Sequence, residues 1–162
     1  MGAFTVELDA AKAPLSVANF TQYVRDKHYD GTIFHRVVSN FVVQGGGFLP
    51  DGTEKPVRVA VPNESGNGLS NRRGTIAMAR TDDPHSATSQ FYVNVTDNIA
   101  LDPGPTRWGY AVFGRVISGM DVLDRIANVP TGARGKFEED TPLDPIVIQT
   151  AEMIEAGPAI TQ

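Results

Sequence analysis

The stretch "FHRVVSNFVVQGGGF", residues 34–48, carries the pattern that decides the fold. Its β-branched residues at alternating positions indicate two short β-strands. Arg36 nevertheless stands between Phe34 and Val38, and Gln44 follows an apolar run directly before three glycines. Polar side chains in apolar strands, next to a run of glycines, raise the question of what these side chains contact.

Composition is that of an ordinary globular protein. The chain has 162 residues, 41% of them hydrophobic and 20% charged, which predicts a single domain over 1–162. The formal net charge is −5 and there is no basic run, so we predict no nucleic-acid partner.

The chain also lacks cysteine and long apolar runs. Without cysteine, disulfides and thiolate chemistry are excluded. No apolar run approaches the roughly 20 residues that a bilayer span needs, so we predict no membrane partner. "MGAFTVELD" has no charged region followed by an apolar one, which predicts a cytoplasmic protein, with export after signal cleavage as the alternative.

Short apolar segments punctuated by 16 glycines and 11 prolines predict a mainly β fold, a barrel or a sandwich. We predict strands over 3–9, 32–38, 41–44, 75–79, 91–95, 110–116 and 146–153. Two segments, 13–26 and 118–130, have helical spacing instead. Pro14 suits the first turn of one helix, and Ser118 with Asp121 predicts a capping-box-like start for the other.

The histidines do not suggest a metal site. His28, His35 and His85 are scattered without metal-ligand spacing, so we predict no metal. We expect His35 to be a hydrogen-bonded residue in or near the core and His28 to lie on the surface at a helix end. No nucleophile elbow or dinucleotide motif is present. The N-x-S/T triplet at Asn94 is of a kind that arises easily by chance.

Arg36 and Gln44 are the candidates for recognition chemistry. Arg36 is a permanent cation with a planar fork of donors, and Gln44 both donates and accepts. An ion pair at the surface would explain a lone strand arginine. The combination with Gln44, the glycine run and the aromatic "SQFYVNV", residues 89–95, favours a binding groove instead.

Several motifs in order resemble those of the cyclophilins, most closely the bacterial ones. They are "VELDAAKAPLSVANF", "FHRVVSNFVVQGGGF", "NGLSNRRGTIAMAR", "ATSQFYVNV", "WGYAVFGRV" and "GMDVLDRI", which together span nearly the whole chain. The resemblance implies a peptidyl-prolyl cis-trans isomerase that assists protein folding, acts on proline-containing polypeptides and is a monomer without a cofactor. It also implies a closed antiparallel eight-stranded barrel capped by two α-helices, with the site in a groove outside the barrel.

The same resemblance assigns roles to individual residues. Arg36 matches the catalytic arginine of the family, and Gln44 matches the partner of a substrate carbonyl. Ala79 and Arg80 match a pair whose backbone holds the extended substrate, and Gln90 matches a glutamine near the groove floor. The residues that match the proline pocket and its rim are Phe41, Val42, Tyr92, Leu101 and Tyr110.

The sequence departs from the family pattern in four places. Val42 replaces a methionine of the pocket, and Tyr110 stands where many eukaryotic members have histidine. Ala100 replaces a tryptophan that helps to bind cyclosporin, so we expect weak cyclosporin binding, and Trp108 lies elsewhere in the pattern. The family usually has a strand ahead of "GAFTVELD", so either the first strand is truncated, which leaves an exposed edge, or the sequence is part of a longer chain.

Two functions from different classes fit these residues. The first is an isomerase in which Arg36 donates a hydrogen bond to the proline nitrogen of the twisted amide, with a flat pH dependence around neutrality because no titrating group takes part. The second is a proline-peptide-binding or chaperone module that needs the pocket but not the donor. A structural barrel without a site would leave Arg36 and Gln44 unexplained.

Overall fold

The computed structural model describes residues 1–154, which form eight β-strands, two α-helices and two short 3₁₀-helices. The helices are α1 (Pro14–Arg25) and α2 (Met120–Ala127), and the 3₁₀-helices are Ser65–Asn67 and Ile99–Leu101. None of these helices is long and apolar enough to cross a membrane. The strands are β1 (Thr5–Leu8), β2 (Arg36–Val38), β3 (Val42–Gly45), β4 (Thr75–Met78), β5 (Phe91–Asn94), β6 (Val112–Ser118), β7 (Thr131–Arg134) and β8 (Phe137–Pro142).

The strands pair antiparallel throughout. Six of them form one sheet in the order β1-β6-β4-β5-β3-β2, and β7 and β8 form a separate two-stranded sheet. β1 lies at an edge of the large sheet, bonded to β6, where the sequence placed an open edge. The predicted mainly β fold with two helices is confirmed.

Strand alternation gives the large sheet an apolar cluster on each face. Successive side chains of a strand point to opposite faces. One set joins α1 and α2 in the main core: Val43, Ile76, Met78, Phe91, Val93 and Phe113. Their immediate neighbours form a second, smaller cluster, here called the outer cluster, whose buried members are Val42, Ala77, Ala79, Tyr92 and Val112.

Helix α1 covers one end of the main core. The ring of Phe20 packs against those of Tyr29, Phe91 and Phe113 at centroid distances of 5.1, 5.5 and 5.1 Å. Pro14 occupies the first turn as predicted, and the helix has no local side-chain cap. The carboxylate of Glu64 caps it from a distant loop by accepting hydrogen bonds from Leu15 N and Ser16 N at 3.2 and 2.6 Å.

Helix α2 begins differently from the sequence-based expectation. Gly119 is its N-cap, with a left-handed φ of 85°, and Ser118 is instead the last residue of β6. Asp121 makes an ion pair with Arg125 at 3.0 Å rather than a capping box. The predicted role of Ser118 was therefore wrong, because the chain turns sharply between strand and helix and only glycine takes this φ without strain.

The predicted strand over 146–153 was also wrong. Its bridge between Val147 and Ile33 is isolated, although Phe34 N bonds to Ile146 O at 3.0 Å, and Ile148 bonds to Thr32 O and Gly31 N at 2.8 Å each. Residues 26–31 are a series of turns, so the pairing does not continue past Gly31. Ala151 N bonds to the Asp30 carboxylate instead, at 2.9 Å. The β7–β8 hairpin was not predicted, since its sequence is mostly polar and exposed.

Close backbone contacts explain the glycine run. A Cβ atom on Gly45 would lie 2.7 Å from Ile33 O and 2.8 Å from Phe34 Cδ1. One on Gly47 would lie 2.7 Å from Gln90 Cγ. The run therefore lets β3 approach the preceding segment and the side chain of Gln90.

We expect Gly45→Ala to lower the free energy of unfolding by roughly 1–3 kcal/mol, because the new methyl group would push against backbone that is fixed in the sheet. Gly66→Ala is the matched control, since a Cβ there meets nothing within 4 Å; it should change stability by less than about 0.5 kcal/mol. Urea unfolding of both variants measures the difference. Equal stabilities would contradict the packing described for Gly45.

Candidate functional site

The β2–β3 pair sets Arg36 directly opposite Gln44. Arg36 is exposed, and its Nη1 lies 3.5 Å from Gln44 Oε1, a long contact. Gln44 Nε2 in turn donates to Gln90 Oε1 at 3.1 Å. The three polar side chains form a row along one face of the sheet.

The outer cluster lies beside this row. Gln44 is in register with Tyr92 of β5, and Ala77 of β4 pairs with the same tyrosine. The rings of Tyr92 and Tyr110 meet edge to face at 6.0 Å. Half-buried residues complete the cluster at its border: Phe41, Leu69, Leu101 and Tyr110.

Two arginines border the outer cluster. The guanidinium carbon of Arg36 lies 5.8 Å from the centroid of the Phe41 ring. The guanidinium carbon of Arg80 lies 4.4 Å from that of Tyr110, close enough for a cation–π interaction. Arg80 is held there by bonds to the carbonyls of Thr81 at 2.8 Å and of residues 108 and 109 at 3.3 Å.

A network of buried asparagines is hydrogen-bonded to the outer cluster. Asn71 Oδ1 accepts hydrogen bonds from the Tyr92 hydroxyl at 2.7 Å and from Asn94 Nδ2 at 3.1 Å. Asn98 Nδ2 donates to Asn94 Oδ1 at 2.8 Å and to the carbonyl of Phe41 at 3.0 Å. The network thus connects β5 to the residues on either side of the cluster.

Asp102 anchors the same network at the end of the 3₁₀-helix that carries Leu101. Its Oδ1 accepts from Asn71 N at 2.7 Å and from Asn71 Nδ2 at 2.9 Å, and its Oδ2 accepts from the Ser70 hydroxyl. Burial opposes ionisation, but the hydrogen bonds from Ser70 and Asn71 outweigh it and lower the pKa of Asp102. The carboxylate therefore stays charged and holds Leu101 beside the cluster.

His35 lies in the core directly before Arg36. Its ring packs against those of Phe48 and Phe137 at 4.7 and 5.5 Å. Burial, followed by the positive charges of Arg36 and Lys136, lowers the pKa of His35 to about 4. Its place in the core was predicted correctly, but its Nδ1 has no hydrogen-bond partner among residues 1–154.

His28 was predicted at the surface, and this was wrong. It is 8% exposed, and its Nε2 lies 3.2 Å from the carbonyl of Gly46. The ring packs at 4.6 Å from that of Tyr23, so the helix end is covered rather than open.

The fold brings the sequence-predicted site residues together on one face. The polar row contains Arg36, Gln44 and Gln90, and Arg80 stacks on the border of the outer cluster. The rest of the predicted set belongs to the cluster itself: Phe41, Val42, Ala79, Tyr92, Leu101 and Tyr110.

Sequence reasoning missed other residues of this region. Ala77 and Val112 line the outer cluster and stand two positions from Ala79 and Tyr110, so extending the alternation would have found them. Asn71 and Asn98 had no such signal, because a buried side-chain network is assembled from segments distant in sequence. Among the described residues there is no group of three or more side chains of the kind that hold a metal ion.

Comparison with known proteins decides the family. The family model described as cyclophilin type peptidyl-prolyl cis-trans isomerase/CLD matches residues 1–153. The chain belongs to this family. The resemblance inferred from the sequence motifs is thereby confirmed.

Similar proteins include bacterial cyclophilins and a solved structure. A peptidyl-prolyl cis-trans isomerase of Streptomyces antibioticus is 52% identical over 156 residues, which cover 94% of this chain and 93% of that protein. Peptidyl-prolyl cis-trans isomerase B of Escherichia coli is 47% identical over 147 residues, with 89% of each chain covered. A cyclophilin of Cryptosporidium parvum, crystallised in the presence of the dipeptide Ala-Pro, has a TM-score of 0.80 at 27% identity and covers 96% of this chain and 94% of its own.

We expect the buried His35 to make stability depend on pH. Its pKa is about 4 in the fold and near 6.5 in the unfolded chain, so between these values only the unfolded state binds the proton. Stability is full above pH 6.5 and falls by on the order of 3 kcal/mol as the pH drops to about 4. His28, whose pKa burial also lowers, acts in the same direction.

Chemical unfolding at a series of pH values measures this loss. A His35→Leu variant keeps apolar packing but takes up no proton, so its stability should fall less over the same interval. Parallel curves for the variant and the wild type would contradict the assignment.

Proposed function

We propose that the chain catalyses cis–trans isomerisation of Xaa-Pro bonds in flexible polypeptides and so assists protein folding. The observation that carries the proposal is a guanidinium without a counter-charge at the border of an apolar cluster. In the described part of the chain no carboxylate lies within 4.0 Å of the Arg36 side-chain nitrogens. Arg36 is therefore available to a substrate.

Arg36 would act on the twisted amide. Rotation about the C–N bond faces a barrier of ~20 kcal/mol because amide resonance stiffens it. In the twisted form the nitrogen regains a lone pair, and a donor aimed at it binds this form more strongly than the planar one. One charged hydrogen bond contributes about 1.5–3 kcal/mol, or roughly one to two decades in rate.

The outer cluster would supply a further part of the rate enhancement. A planar amide is more polar than a twisted one, so replacing its water by Phe41, Val42 and Tyr92 disfavours the planar form. Gln44, joined to Gln90, would hold a flanking carbonyl so that only one side of the bond turns. The asparagine network holds the carbonyl of Phe41 and the hydroxyl of Tyr92 in place through direct hydrogen bonds.

A proline-peptide-binding module is the second candidate function. The outer cluster is packed and hydrogen-bonded through Asn71 and Asn98, independently of Arg36. Such a cluster would take a proline ring even if the guanidinium played no part. The two functions differ in what loss of Arg36 does. An isomerase would lose turnover, whereas a binding module, whose activity is binding alone, would be unchanged.

The proposal also covers closure of the barrel and the binding of cyclosporin. We propose that the strands close into a barrel; bonds from Phe34 N to Ile146 O at 3.0 Å and from Thr141 Oγ1 to His35 O at 2.8 Å support this. Ala100 offers only a methyl group beside Leu101, which supports weak cyclosporin binding. A single domain, a monomeric state and a cytoplasmic location stay predictions.

We expect Arg36→Ala to slow catalysed exchange of an Ala-Pro peptide by roughly 10- to 100-fold while peptide affinity changes little, because the lost bond forms fully only in the twisted state. Two-dimensional NMR exchange spectroscopy measures both quantities on one sample. Arg25→Ala, an exposed arginine in the last turn of α1, is the matched control and should exchange the peptide at the wild-type rate.

Three results are informative. Binding without exchange in the wild type would favour the binding module. Rapid exchange in both the wild type and Arg36→Ala would retain the isomerase but assign catalysis to the outer cluster. Loss of exchange together with loss of binding would show that Arg36 also binds the planar, ground-state peptide.

A further inference from the structure

The arginines around the outer cluster differ from most others in the molecule. Arg36, Arg80 and Arg107 have no carboxylate within 4.0 Å among residues 1–154. Arg107 donates to the carbonyl of Ala100 at 2.9 Å, beside Leu101. Arg25 and Arg134 also lack such a partner. The paired arginines are Arg58, Arg72, Arg73, Arg115 and Arg125.

The guanidinium of Arg80 is fixed in place, yet not saturated. Its four bonds to backbone carbonyls leave at least one of its five N–H donors without a partner in the described structure. Stacking on Tyr110 keeps the cation at the border of the outer cluster. Little side-chain entropy is therefore lost when a ligand binds to it.

We propose that the groove selects proline segments with an acidic side chain within two residues of the Xaa-Pro bond, and that Arg80 binds this side chain. The inference rests on the proposed function, since it takes the outer cluster as the proline site. The chain as a whole carries a net charge of −5, so long-range attraction does not favour acidic peptides. The selection has to come from a local contact.

Nearby carboxylates limit how strongly Arg80 can favour acidic peptides. Asp102 is turned inward and bonded to Ser70 and Asn71. Asp82 and Asp83 lie in the exposed turn after Arg80, and neither is within 4.0 Å of a lysine or arginine nitrogen in the part of the chain described. We therefore expect the strength of an exposed ion pair, a preference of roughly 1.5- to 5-fold.

Matched peptides test the proposal. One pair carries Glu or Gln two residues before the proline of an Ala-Pro peptide, and a second pair carries Glu or Gln two residues after it. NMR titration gives the affinity of each peptide, and exchange spectroscopy gives its catalysed rate. We expect the Glu peptide of at least one pair to bind and exchange about 1.5- to 5-fold better than its Gln partner, with the ratio approaching one in about 0.5 M NaCl.

Variants assign the preference to Arg80. Arg80→Gln should abolish the Glu-to-Gln ratio, whatever it does to absolute rates, and Arg25→Gln should leave the ratio intact at the same change in net charge. Because Arg80 also holds the backbone at 108–109, Arg80→Lys is the second variant: it keeps the charge but loses the fork, and should show a reduced ratio.

Equal affinities within both pairs in the wild type, or a ratio that survives in Arg80→Gln or is unchanged in Arg80→Lys, would overturn the proposal. If no peptide exchanges faster than it does alone, the proposed catalysis fails. The ratio of affinities still decides the preference in that case.

Discussion

The register of β3 against β2 and β5 is the constraint on which the rest of the structure depends. It sets Arg36 opposite Gln44 and Gln44 opposite Tyr92. Because side chains alternate between faces, a slip of β3 by one residue would move Val43 out of the core and turn Gln44 into it. Core burial therefore fixes the register, and the register in turn assembles the polar row and the outer cluster.

The two faces of the sheet are stabilised by different means. The main core is closed by apolar packing of α1 and α2, with the rings of Phe20 and Phe113 at 5.1 Å. The buried members of the outer cluster lie next to a hydrogen-bonded network of buried asparagines, which fixes its shape. Removing one partner of such a buried network leaves others unsatisfied, at a cost of about 1–3 kcal/mol each. This rigidity suits a surface that has to hold one side of a substrate still.

Strong local periodicity made most of the fold predictable from the sequence. The strands at 75–78 and 91–94 and the helix after Pro14 have patterns that tertiary contacts reinforce. The segment 146–153 has a strand pattern too, but its backbone bonds to residues 31–34 run only from Ile146 to Ile148, and a ladder needs a neighbour along its whole length. The start of α2 depended on the sharp turn at Gly119, which the sequence signal at Ser118 concealed.

The candidate site was predictable only through the resemblance to a family. Residue chemistry alone singled out Arg36 and Gln44, while the residues of the outer cluster are ordinary strand residues. Asn94 shows the limit most clearly. Its sequence context suggested no more than a chance N-x-S/T triplet, yet it is fully buried and links Asn71 to Asn98. Such a role follows from three-dimensional contacts that no local pattern encodes.

Titration of the ¹⁵N-labelled protein with an Ala-Pro peptide would test most directly that the outer face of the sheet is the working surface. We expect the shifts to concentrate at Arg36, Gln44, Tyr92 and Leu101, including the side-chain N–H groups of Arg36 and Gln44. Shifts confined to another surface would contradict it, for example to the groove of about 130 Å³ between residues 50–52 and Arg134–Phe137.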